Sequence, residues 1–63
     1  MKKVIEKWLA SEEGQNWLKE RKQEWDCSSH PGRKTFEGWI RYQLMGIFCT
    51  TYGTVNKIEI KIQ

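Results

Sequence analysis

Cys27, His30 and Cys49 are the residues whose types could hold a metal or drive a nucleophile. Cys27-x-x-His30 sits in the run Asp26-Cys27-Ser28-Ser29-His30-Pro31-Gly32, and zinc accepts thiolate and imidazole ligands from a short loop. A structural zinc site needs four ligands, however. Asp26 or a second chain would have to supply the last, and no Cys-x-x-Cys pair is present. No metal is therefore assigned. Nucleophilic catalysis by Cys27 would need an activating base and an oxyanion pocket, both rigidly held. A Ser-, Pro- and Gly-bearing loop is poor support for either, and the chain has no Gly-rich phosphate loop. These residue types point away from an enzyme, and no cofactor is expected.

A second constellation is Arg33, Lys34 and Arg41, close in sequence to Trp39 and Tyr42. Basic groups neutralise phosphates and aromatic rings stack on exposed bases, so this is the surface a nucleic acid would use. The opposing consideration is charge. The net charge is only +3. Lys2, Lys3, Lys7, Lys19, Arg21 and Lys22 are offset by Glu6, Glu12, Glu13, Glu20, Glu24 and Asp26, which leaves the excess to residues 27–63.

The third constellation is aromatic. A chain of 63 residues carries four tryptophans, Trp8, Trp17, Trp25 and Trp39, together with Tyr42. Each large ring buries roughly 150–250 Å², whereas a chain this short buries only about 60% of its unfolded surface. Rings left part-exposed would mark a protein-binding face, because Trp and Tyr are enriched at binding hot spots. Trp8, Trp17, Trp25, Trp39 and Tyr42 are therefore the candidate protein-binding residues.

The elements that must position these groups follow from spacing. Val4, Ile5, Trp8 and Leu9 predict a short helix over 2–10. Ser11 as N-cap, with Glu12 and Glu13 in the first turn, predicts a second over 12–25. The pairs Trp8–Leu9 and Trp17–Leu18 lie about nine residues apart, and at roughly 100° per residue a straight helix would turn them to opposite sides. A break near Ser11–Gly14 is expected for that reason; the alternative is a straight helix with two sticky faces. Asp26 to Lys34 reads as a loop.

Phe36, Ile40, Leu44 and Ile47 favour a helix over 35–45, ended by Gly46, against a competing strand pattern at Ile40, Tyr42 and Leu44. Residues 47–52 (IFCTTY) are β-branched and aromatic and predict a strand. Residues 57–62 (KIEIKI) alternate strictly and predict another, after a turn at 53–56. The expected fold is α+β, one domain over residues 1–63, with two or three short helices packed on a C-terminal antiparallel β-hairpin. A two-stranded hairpin is marginal alone, so a homodimer partner that extends the sheet belongs to the expectation.

Glu6 and Lys7 interrupt any apolar run that Lys2 and Lys3 would introduce as a signal peptide, and the charge-free stretch Tyr42–Asn56 is too short to span a bilayer. A cytoplasmic chain with no membrane partner and with free Cys27 and Cys49 is expected. The function expected from this elimination is non-enzymatic binding to a larger protein, as an inhibitor, adaptor or accessory subunit. Phage- or plasmid-borne inhibition of a host enzyme falls within it, although no motif supports that role. The alternative is a small nucleic-acid-binding protein using Arg33, Lys34 and Arg41.

Overall fold

The computed structural model describes residues 1–27 and 35–63. Four helices follow in order: α1 (Lys2–Ala10), α2 (Glu12–Cys27), α3 (Phe36–Ile47) and α4 (Tyr52–Val55). There is no strand among the described residues. The α+β expectation is thus corrected to a small all-helical fold.

The break between the first two helices takes one residue. Ser11 closes α1, its N–H donating to Trp8 O at 3.0 Å. Its hydroxyl also donates to Trp8 O and accepts from Gly14 N–H at 3.1 Å, capping the start of α2. The orphan groups of two helix ends are satisfied together in this way. Gly14 lets α2 pass hard against the end of α1. A Cβ there would lie 2.8 Å from Leu9 Cα and closer still to Trp8 O. The corner turns both apolar pairs inward: Leu9 and Leu18 are buried, and Trp8 meets Trp17 with ring centroids 5.4 Å apart.

Thr35 caps α3, its hydroxyl accepting from Gly38 N–H at 3.0 Å. Trp39, Ile40 and Leu44 form the buried face of α3 and join Ile5, Leu9, Leu18, Val55 and Ile58 in one core. The helix does not stop at Gly46. Phe48 N–H bonds Leu44 O at 2.9 Å, and Thr50 N–H bonds Met45 O at 3.0 Å, across Cys49, whose φ is +51°. This is a Schellman-type ending with cysteine in the left-handed position that glycine usually takes.

The predicted strand over 47–52 is therefore absent: Ile47 belongs to α3, Phe48–Cys49 form its terminal turn, and Thr51 precedes α4. The predicted strand over 57–62 is absent as well. Its alternation persists in burial, with Ile58 buried, Ile60 half-buried and Glu59 and Lys61 exposed. A ladder needs a second main chain, and side chains of α2 and α3 have taken that part.

The glycines separate by position. Gly14→Ala should destabilise the chain by about 1–3 kcal/mol through overpacking against backbone. Gly46→Ala, where an added Cβ meets nothing within 4 Å, should stabilise it by about 0.5–1 kcal/mol. Cys49→Gly should raise stability by about 1 kcal/mol by relieving the left-handed backbone. Urea unfolding midpoints check all three.

Candidate functional site

Only one of the five candidate protein-binding residues presents most of its side chain to solvent. Tyr42 is 56% exposed on the outer side of α3. Trp39 is 8% exposed and belongs to the core. Trp8, Trp17 and Trp25 are half-buried and pack against that core. The rings form two clusters. Trp8 meets Trp17 and, edge-on at 5.7 Å, Phe48. Trp25 meets Phe36 at 6.2 Å and Trp39 at 5.6 Å. Cations lie against both clusters: the Arg21 guanidinium is 5.9 Å from the Trp17 ring centre, and Lys22 Nζ is 5.1 Å from that of Phe36. The indoles knit α1 to α2 and α2 to α3, so most of their area is spent inside the fold.

The exposed large side chains among the described residues are Met1 and Val4 at α1, Ile62, and a set along α3 and α4. Besides Tyr42, Ile47 is 49% and Tyr52 55% exposed. Gly38 and Gly46 lie one turn to either side of Tyr42 on the same exposed stripe of α3. The short turn at Phe48–Thr51 carries the chain from α3 to Tyr52. The strand pattern assigned to 47–52 hid Ile47 and Tyr52. Helical spacing did not mark Ile47 either, because it falls on the stripe of Ile40 and Leu44, which are buried, whereas Ile47 is exposed.

Arg41 is built into the fold. Its Nε and Nη2 donate to Ile58 O at 3.2 and 3.0 Å, and the residue is half-buried. A phosphate would have to compete with that carbonyl. Arg33, Lys34 and His30 lie outside the described residues. Cys27 ends α2 and Cys49 lies in the turn after α3, both exposed with free thiols. No cluster of three or more His, Cys, Asp or Glu occurs among the described residues, and none of their helices is long and apolar enough to cross a membrane.

Gln15 is the buried polar residue that sequence reasoning missed. It is 9% exposed. Its Nε2 donates to Leu9 O at 2.8 Å and to Lys61 O at 3.0 Å, and its Oε1 accepts from Gln63 N–H at 2.8 Å. The opposite amide orientation would set an oxygen against two carbonyls, so these partners fix which end is which. The available signal was spacing: Gln15, Leu18, Lys22 and Trp25 recur at helical intervals on the inward side of α2. Beside it, Glu6, Leu9, Ala10, Gln15, Glu59 and Lys61 line an open hollow of about 190 Å³.

Compared with protein-family models, with curated proteins and with solved structures, the chain matches none.

Gln15→Ala should cost about 2 kcal/mol, since three bonds at roughly 1 kcal/mol each are lost and water recovers part of them. Amide hydrogen exchange localises the effect. Gln63 N–H should lose its protection, while Ile58 N–H, bonded to Val55 O at 3.0 Å, should keep it.

Proposed function

We propose that this chain is a non-enzymatic binding module acting on a larger protein, as an inhibitor, adaptor or accessory subunit. The observation that carries the proposal is the exposure of Tyr42, Ile47 and Tyr52 along α3 and α4. Tyrosine supplies a large, rigid contact surface at low entropic cost. Capping at Thr35 and the Schellman-type ending hold α3 in shape before any partner arrives, and a preordered surface loses less entropy on binding. The face moves from the tryptophans to α3 and α4, because the indoles are engaged with one another.

The test is site-specific photo-crosslinking in the native cell, with the probe at position 42, 52 or, on the outer side of α2, 16. Positions 42 and 52 should capture the same protein and position 16 should not. Tyr42→Ala and Tyr52→Ala should each weaken binding to the captured protein by about tenfold or more, which corresponds to about 1.4 kcal/mol. Equal capture at all three positions would contradict the proposal. So would DNA or RNA binding that collapses with salt and survives both tyrosine changes.

A further inference from the structure

We propose that the outer face of the α1–α2 corner is the contact surface for a second copy of this chain, paired about a two-fold axis through the Trp8–Trp17 contact. The inference concerns a different surface from the α3–α4 face and does not rest on the function proposed for that face.

The two helices of the corner carry opposite charge. In α1, Lys2, Lys3 and Lys7 stand against Glu6, a net +2. In α2, Glu12, Glu13, Glu20, Glu24 and Asp26 stand against Lys19, Arg21 and Lys22, a net −2. Helical spacing gathers part of that charge into two stripes. Lys3 and Lys7 lie one turn apart on the exposed outside of α1. Glu13 and Glu20 lie four residues before Trp17 and three after it, so both border that ring on α2, and both are exposed. Between the stripes runs an apolar seam. Its middle is the Trp8–Trp17 pair, with centroids 5.4 Å apart and both rings half-buried. Val4, one turn before Trp8 and three residues before Lys7, extends the seam and is 58% exposed. Across the corner the surface therefore reads basic, apolar, acidic.

The fold leaves most of these charges unpaired. Among the described residues Lys3, Lys7 and Glu13 make no ion pair, and Glu20 reaches only Arg21, at 3.8 Å. Arg21 does not cancel the acidic stripe. It is half-buried, its guanidinium lies 5.9 Å from the Trp17 ring centre, and its Nε is 3.2 Å from Glu24 Oε2.

This arrangement selects the occupant. A purely cationic partner would be repelled by the lysine stripe, and a purely anionic one by the glutamate stripe. A copy rotated by half a turn about the seam brings Lys3 and Lys7 of each chain to Glu13 and Glu20 of the other, so attraction acts at both stripes. Such a contact uses the same patch twice and closes at two chains. Exposed ion pairs contribute little on their own. The apolar seam supplies the affinity, and the stripes set partner and register.

The test is sedimentation equilibrium of the full chain and of two charge-reversed double variants, each checked for helical content by circular dichroism. The unaltered chain, 7.6 kDa as a monomer, should sediment at twice that mass at concentrations on the order of 100 µM. Raising salt from about 50 to about 500 mM should weaken the association several-fold. Lys3→Glu with Lys7→Glu makes both stripes acidic, and Glu13→Lys with Glu20→Lys makes both basic. Each variant should self-associate about tenfold or more weakly than the unaltered chain. An equimolar mixture of the two should recover the dimer. Glu37→Lys with Glu59→Lys adds the same positive charge away from the face, and should self-associate several-fold more tightly than Glu13→Lys with Glu20→Lys. Should a charge-reversed variant fail to fold, Val4→Asp at its exposed position should weaken self-association by about tenfold or more. A monomer at about 1 mM, a dimer indifferent to the reversals or to Val4→Asp, or a mixture that stays monomeric would overturn the proposal.

Discussion

The close passage of α2 over the end of α1 is the constraint on which the rest of the molecule depends. Trp8 O receives both the N–H and the hydroxyl of Ser11, and the bare Cα of Gly14 leaves room for that carbonyl. A residue with low helix propensity thus occupies the first turn of α2 because nothing larger fits. From this corner follow the burial of Leu9 with Leu18 and the contact of Trp8 with Trp17. The corner also sets the position of Gln15, the next residue along. A helix-breaking signal read as a local cost is, in three dimensions, the condition for tertiary packing.

The aromatic load is explained by scale. A small chain buries only part of its surface, and here half-buried rings bridge neighbouring helices around a core of Ile5, Leu9, Leu18, Trp39, Ile40, Leu44, Val55 and Ile58. The same economy appears at the C-terminal end. A segment with no strand beside it has main-chain groups bonded by a glutamine and an arginine. Polar side chains stand in for secondary structure there. Arg41, a plausible phosphate ligand when read along the chain, is held at the carbonyl it supports.

How much of this was legible depended on whether the decisive partner lay nearby in the chain. The break near Ser11 follows from Trp8–Leu9 and Trp17–Leu18, whose spacing a straight helix cannot reconcile with one core. The start of α3 is visible in Thr35 and in the stripe Phe36, Ile40, Leu44. The two strands were misread for different reasons. In 47–52, β-branched and aromatic composition outweighed continuation of the helical stripe through Gly46 to Ile47, and no local rule placed cysteine at the left-handed position. In 57–62 the period was read correctly and its meaning was not. Alternation reports that one side faces inward and carries no information about what satisfies the backbone. Gln15, distant in sequence, supplies the answer. The tryptophans drew attention as a binding face because size and number say nothing about mutual burial. Two of the exposed large side chains, Ile47 and Tyr52, lay inside the misassigned strand.

The measurement that bears most directly on this account is a nuclear Overhauser spectrum of the indole protons, read with the Cα chemical shifts of residues 2–27. The corner predicts cross-peaks between the Trp8 and Trp17 rings and an interruption of helical shifts at Ser11. An unbroken helix would separate those residues by about 13.5 Å along its axis, at 1.5 Å per residue. Continuous helical shifts through Ser11 with no Trp8–Trp17 cross-peak would contradict the account at its foundation.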